Sequence, residues 1–156
     1  MLVKTYCAAM TGLEATVVTV EVSTSRGVMF HLSGLGDTSV KESYDRIKAA
    51  FENNGLKFPV ADITVNMAPA DIKKEGSSYD LPIAVAILAT MQKVNADVLD
   101  KYMLIGELSL DGRLQPVRGI LPIAIKARAE KFKGLIVPSD NVREAGVVNN
   151  LEVYGM

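Results

Sequence analysis

The chain has 156 residues, 49% of them apolar, and a formal net charge of −1. That length fits one domain with a sizeable core, and the apolar share excludes a disordered chain. Near-neutral charge excludes a strong overall field for nucleic acid and leaves room only for a local basic patch.

The N-terminus, Met1-Leu2-Val3-Lys4-Thr5-Tyr6, lacks the basic, apolar and small-residue order of a secretory signal. The single cysteine, Cys7, has no internal disulfide partner, so a reducing cytoplasm is expected. Leu2 to Met10 reads as a strand, Thr11-Gly12 as a hairpin turn, and Val18, Val20 and Val22 alternate with Thr19 and Glu21 as a second strand. After a turn at Arg26-Gly27, Val28 to Leu32 reads as a third strand, ended by Gly34 to Asp37. The capping-box spacing Ser39 to Glu42 opens a helix carrying Val40, Tyr44, Ile47 and Phe51 on one face, and Asn53-Asn54-Gly55 stops it. Ala61 to Met67 is a strand, and Ala68 to Tyr79 is a loop of small and charged residues.

Asp80 is expected to cap a helix over Leu81 to Lys93, with Pro82 tolerated in its first turn. Its apolar run, Leu81 to Met91, is broken by Pro82 and Thr90 and is too short to span a bilayer, so no membrane partner is expected. Tyr102 to Leu108 reads as a strand, Asp111-Gly112 as a two-residue hairpin, and Leu114 to Pro116 as the return. A helix from Gly119 to Phe132, a strand over Leu135 to Val137, a short helix over Val142 to Val147 and a strand over Leu151 to Tyr154 complete the order. The reading is an α/β (α+β) domain with antiparallel hairpins first and βα units later, covering residues 1–156 without a linker. Ending on Gly155-Met156 straight after a strand, it is expected to be part of a longer protein.

Ser78 stands just ahead of a helix, where a hydroxyl serves as a cap or as a nucleophile. A nucleophile needs a base within hydrogen-bond reach. The only histidine, His31, lies in a strand among apolar neighbours, and Lys73 and Lys74 sit in a loop where solvated lysines stay protonated. No His/Cys/Asp cluster has metal-ligand spacing, and no Gly-x-x-x-x-Gly-Lys-Ser/Thr phosphate loop is present. From Arg113 to Lys133 the charges are Arg113, Arg118, Lys126, Arg128, Lys131 and Lys133 against Glu130 alone. That segment is a DNA-facing patch or a solvated helix face.

Two segments carry a family resemblance. Glu75-Gly76-Ser77-Ser78-Tyr79-Asp80 and Gly106-Glu107-Leu108-Ser109-Leu110-Asp111-Gly112-Arg113 resemble the two signatures of the Lon proteolytic domain. In that family the first carries the nucleophilic serine and the second leads to a helix bearing its partner lysine. The serine position holds Ser78, and the lysine position, directly after Gly119-Ile120, holds Leu121. The family's small residues after the serine are replaced by Tyr79 and Asp80. A leucine accepts no proton, and Lys126, about 7.5 Å further along the helix at the usual rise, lies on another face. The resemblance therefore implies a Lon-type fold without a working dyad.

A narrower resemblance covers nearly the whole chain. Asp37 to Ala49, Ile63 to Gly76 with its Asn66-Met67-Ala68-Pro69-Ala70-Asp71, Asp80-Leu81-Pro82-Ile83-Ala84 and Gly106 to Pro122 resemble the bacterial ComM/YifB group, often labelled magnesium-chelatase-like. Departures are Gly36, where a proline is usual, and Ser77-Ser78, where many members have Pro-Ala. The resemblance implies a non-proteolytic accessory or assembly domain next to an AAA+ ATPase that acts in DNA branch migration, recombination and natural transformation. It also implies ATP and Mg²⁺ at that module rather than here, and as partners the AAA+ module, sister subunits of a hexamer and DNA. The alternatives are a residual serine hydrolase using Ser78 and a peptide-binding module reusing the ancestral groove.

Overall fold

A computed structural model describes residues 1–156. The chain opens on a hairpin of two long strands, β1 (Leu2–Thr11) and β2 (Glu14–Ser25), joined at Gly12-Leu13 with Gly12 at φ 63°. Then follow β3 (Phe30–Ser33), a single helical turn α1 (Thr38–Lys41), α2 (Ser43–Asn53), β4 (Asp62–Ala68) and α3 (Asp80–Thr90). A 3₁₀ turn (Ala96–Lys101) leads to β5 (Tyr102–Leu104), β6 (Glu107–Leu108), β7 (Leu114–Gln115), α4 (Ile120–Ala129) and β8 (Gly134–Val137). A second 3₁₀ turn (Ser139–Asn141), α5 (Val142–Ala145) and β9 (Glu152–Gly155) complete it. Seven strands form one mixed sheet in the order β3-β4-β2-β1-β5-β8-β9, and β6 and β7 make a separate ribbon. The pairs β1/β2 and β2/β4 are antiparallel and the others in the large sheet parallel. This is the α/β arrangement expected, with its early hairpin and later βα units.

Alternation along the strands decides the packing. Val3, Thr5 and Cys7 of β1, with Val18, Val20 and Val22 of β2, are fully or almost fully buried. α3 lies across them, and the Thr5 hydroxyl donates to the Pro82 carbonyl at 2.9 Å, which turns a polar residue in the core into a tie. α3 is apolar nearly all round, as a helix covered on most sides must be. Tyr6 points to the opposite face and stacks against Phe132, just beyond α4, with ring centroids 5.6 Å apart.

Several boundaries differ from the sequence reading for local reasons. Asp37, not Ser39, caps the first helix, accepting from the Val40 N–H at 2.9 Å, and the chain re-aims at Glu42 to begin α2. The third strand starts at Phe30, because Val28 and Met29 are solvent-exposed. α3 stops at Thr90, α4 covers only Ile120–Ala129, and α5 only Val142–Ala145. The predicted Tyr102 to Leu108 strand is two strands in different sheets, parted at Ile105-Gly106. The β6–β7 loop is longer than a two-residue hairpin: the Ser109 N–H donates to the Arg113 carbonyl and the Gly112 N–H to the Ser109 carbonyl. Gly112 takes the left-handed conformation, φ 90°, that the tight turn requires.

Candidate functional site

The segment before α3 is held along its whole length. Its first part zips onto Leu35 to Asp37: Lys74 N–H donates to the Leu35 carbonyl and Asp37 N–H to the Lys74 carbonyl, both at 3.0 Å. Asp37 then uses its second carboxylate oxygen to accept from the Gly76 N–H at 3.0 Å. The Ser77 hydroxyl donates to Glu107. Gly106 donates to the Ser78 carbonyl at 2.9 Å and accepts from the Leu81 N–H at 3.0 Å. Ser78 is thereby fixed in the wall of an open cleft of about 630 Å³, across from Val117, Arg118 and Ile123.

Asp80 does not cap the helix. It is the first helical residue, and its fully buried carboxylate turns inward. One oxygen accepts from Ser43 Oγ at 2.6 Å and Arg46 Nη2 at 3.0 Å, and the other from Arg46 Nε at 2.6 Å and the Leu108 N–H at 3.0 Å. Burial pushes this carboxyl above its ordinary range, while Arg46, Ser43 and the Leu108 N–H pull it the other way. The hydrogen bond to Asp80 in turn raises Arg46. Charge-assisted bonds of this kind hold α2, α3 and β6 in one geometry.

Lys74 is the second element missed by sequence reasoning. It is completely buried, and its ammonium donates to the carbonyls of Gly34 and Met67 at 2.8 Å each and to that of Pro69. All three N–H donors of a lysine are thus used, and Lys74 is not among the residues lining the Ser78 cleft. Burial pulls its pKa down, with Asp71 opposing. Gly34 permits the cage, because a Cβ there would lie 2.2 Å from the Met67 carbonyl oxygen. Lys73 reaches the cleft but pairs with Glu75 at 3.3 Å on the surface.

Leu121 stands in the first turn of α4, half-buried against the core, and its N–H donates to Glu144 at 3.3 Å. It is not among the residues lining the cleft, which α4 and its approach reach through Ile123 and Arg118. Gly119 begins that turn at φ 75°, a left-handed conformation that glycine adopts without strain. The Ser78 hydroxyl makes no hydrogen bond to a proton acceptor: the Glu107 contact is with Ser77, and the Lys74 ammonium donates to three carbonyls. His31 lies exposed on β3, paired in register with Thr64.

The six basic residues border two clefts and the end of α4. Arg113, at the tip of the β6–β7 loop, is 3.6 Å from Asp111 and borders a second cleft, between α2 and α3. Arg118 opens onto the Ser78 cleft. Lys126 pairs with Glu130 at 3.0 Å, and Arg128, Lys131 and Lys133 are exposed around the end of α4. No group of three His, Cys, Asp or Glu residues is disposed to hold a metal ion, and no helix is long and apolar enough to cross a membrane. The sequence holds no Gly-x-x-x-x-Gly-Lys-Ser/Thr phosphate loop, and the Asp80 carboxylate is taken up by Ser43, Arg46 and the Leu108 N–H.

A mixed sheet with the Ser78 loop ahead of a buried helix and a β-ribbon leading into α4 defines an α/β domain of the Lon-like class. The chain is 27% identical over 144 residues to the Lon protease of Mycoplasma mycoides, covering 87% of this chain and 18% of that protein. It matches the family model "Subunit ChlI of Mg-chelatase" over residues 20–141, and it belongs to that magnesium-chelatase-like family. It is 44% identical over 142 residues to the protein YifB of Escherichia coli, covering 90% of this chain and 28% of YifB. To the competence protein ComM of Haemophilus influenzae it is 41% identical over 150 residues, 96% of this chain and 29% of ComM. The chain thus spans under a third of the length of these curated relatives.

Proposed function

We propose that this domain is a non-proteolytic accessory and assembly module of a bacterial AAA+ ATPase of the ComM/YifB type. In this reading it works in the cytoplasm on DNA during branch migration, recombination and natural transformation. The observation that carries the non-proteolytic part is the Lys74 ammonium, tied to three carbonyls, together with an apolar Leu121 at the family's lysine position. Ser78 is left without a base, and a serine hydroxyl is a weak nucleophile until one activates it. The name of one relative, a competence protein, supports the transformation part. ATP and Mg²⁺ then belong to an ATPase module outside residues 1–156, and sister subunits of a hexamer are the partners.

DNA contact falls to the basic end of α4, where Lys126, Arg128, Lys131 and Lys133 surround the helix terminus. A single domain neutralises few phosphates, so its own affinity is weak, about 10⁻⁴–10⁻⁶ M, and falls steeply with salt. Several copies in a ring add through effective concentration. Changing Lys126, Arg128 and Lys133 together to glutamate in the full-length protein tests this. The expected result is weaker DNA binding with a shallower salt dependence; unchanged affinity and unchanged salt dependence would rule the patch out.

A further inference from the structure

Of the seven asparagines in the chain, Asn54 alone is followed by glycine. It caps the C-terminal end of α2, and its carboxamide Nδ2 donates to two carbonyls, each at 2.8 Å. One belongs to Ala50 in the last turn of the helix, the other to Asp111 in the β6–β7 loop. Asn53, beside it, donates to the Leu110 carbonyl at 2.8 Å. These two bonds, Asn53 to Leu110 and Asn54 to Asp111, are the hydrogen bonds that tie the loop to the end of α2. The contact is close, because a Cβ on Gly112 would lie 2.4 Å from Asn54 Nδ2. Asn54, Gly112 and Arg113 share the rim of the cleft between α2 and α3.

An asparagine before glycine carries a reaction within its own backbone. The Gly55 nitrogen attacks Asn54 Cγ and loses its proton, the C–N bond of the carboxamide breaks, and ammonia departs. A cyclic succinimide remains. Water then opens it at either carbonyl, giving aspartate or, with the chain rerouted through Cγ, isoaspartate. Glycine permits the attack because no Cβ shields its nitrogen, and nothing stands within 4 Å of where a Cβ on Gly55 would be. Both residues are solvent-exposed. In the folded protein, however, the reacting groups are engaged. The Gly55 N–H donates to the Glu52 carbonyl at 3.2 Å, and the carboxamide donates to its two carbonyls. Reaction therefore waits on a local opening of this clamp.

We propose that Asn54 is a deamidation site, and that its conversion irreversibly unlatches the β6–β7 loop from α2. A carboxylate has no proton to donate, so the new side chain faces the Ala50 and Asp111 carbonyls as one more acceptor. It also stands at the negative end of the helix, where an anion is disfavoured. Glu52, two residues earlier in the chain, and Asp111 add like charge, and Arg113 is already drawn to Asp111 at 3.6 Å. The loop is then left with the Asn53 bond alone, and the rim of the cleft between α2 and α3 loosens. This chemistry is independent of whether the parent protein acts on DNA.

The test incubates the protein in heavy-oxygen water beside a synthetic peptide of the Phe51–Phe58 sequence and follows both by peptide-mapping mass spectrometry. Asn54 should convert to aspartate and isoaspartate with uptake of heavy oxygen, while the other asparagines stay intact over the same period. The folded protein should react at least about tenfold more slowly than the peptide, because the clamp's hydrogen bonds must open first. Gly112→Ala, which drives a Cβ into the Asn54 amide, should bring the rate up toward that of the peptide. Asn54→Asp, which installs one product directly, should speed amide hydrogen exchange across Leu110 to Arg113 about tenfold. Exchange in Asn54→Gln should not change on incubation. Asn54 still intact when the peptide has fully converted, or a protein rate equal to the peptide's, would overturn the proposal. So would loop exchange in Asn54→Asp no faster than in the unaltered protein.

Discussion

Arg46 grips Asp80 with both prongs of its guanidinium, Nε to one carboxylate oxygen at 2.6 Å and Nη2 to the other at 3.0 Å. Asp80 is fully buried and Arg46 is 17% exposed in its side chain, so this pair ties α2 to the start of α3 out of water. Removing one partner leaves an uncompensated charge in a low dielectric, which costs more than losing both.

Arg46→Met is therefore expected to lower unfolding stability by about 3–5 kcal/mol. Adding Asp80→Leu to it should recover part of that loss, because the stranded carboxylate is gone. Urea denaturation of the two variants measures both effects. A double variant less stable than the single one would contradict this reading of the pair.

Lys74→Met keeps the apolar stem and deletes the ammonium, leaving the carbonyls of Gly34, Met67 and Pro69 without their donor. The expected loss is about 2–4 kcal/mol. A loss below about 1 kcal/mol by the same denaturation assay would show that the cage is not holding the loop.

Burial pushes the Cys7 thiol from 9.0 up to about 12. Below pH 9 both folded and unfolded thiols keep their protons and the full stability is present. As pH rises toward 12, the unfolded thiol ionises and the folded one does not, so stability falls by roughly 1.4 kcal/mol per pH unit. By pH 10.5 the Cys7 share is roughly 2 kcal/mol. Burial also raises Tyr79, which adds loss in the same direction at still higher pH. Comparing urea midpoints at neutral pH and at pH near 10.5, Cys7→Ala should lose less stability on alkalinisation than the unaltered protein. Equal losses would mean that the thiol ionises freely in the folded state.

How much of this was legible in the sequence depended on range. The valine alternation in β2, the Gly12 turn and the apolar run of α3 are local patterns, and each sits where the sequence puts it. Boundaries went astray where a distant partner takes over. Asp80 reads as a cap because its position is right for one, yet Arg46, 34 residues earlier, claims its carboxylate. Tyr102 to Leu108 reads as one strand because its apolar residues are continuous. The Ser78 carbonyl claims Gly106, and the chain turns away into a separate ribbon. Of the site, the place of Ser78 just ahead of α3 was readable from its motif. The Lys74 cage and the Ser43–Arg46–Asp80 cluster were not, since each is made by groups brought together only by folding. The six basic residues are neighbours in sequence but are spread over two clefts and the end of α4.

The central claim is that Ser78 is an inert hydroxyl in a protease-like fold. Incubation of the protein with a serine-reactive fluorophosphonate probe, and separately with an unfolded protein substrate, tests it most directly. The account predicts no labelling at Ser78 and no cleavage, with Ser78→Ala indistinguishable from the unaltered protein. Stoichiometric labelling at Ser78, abolished in Ser78→Ala, would contradict it.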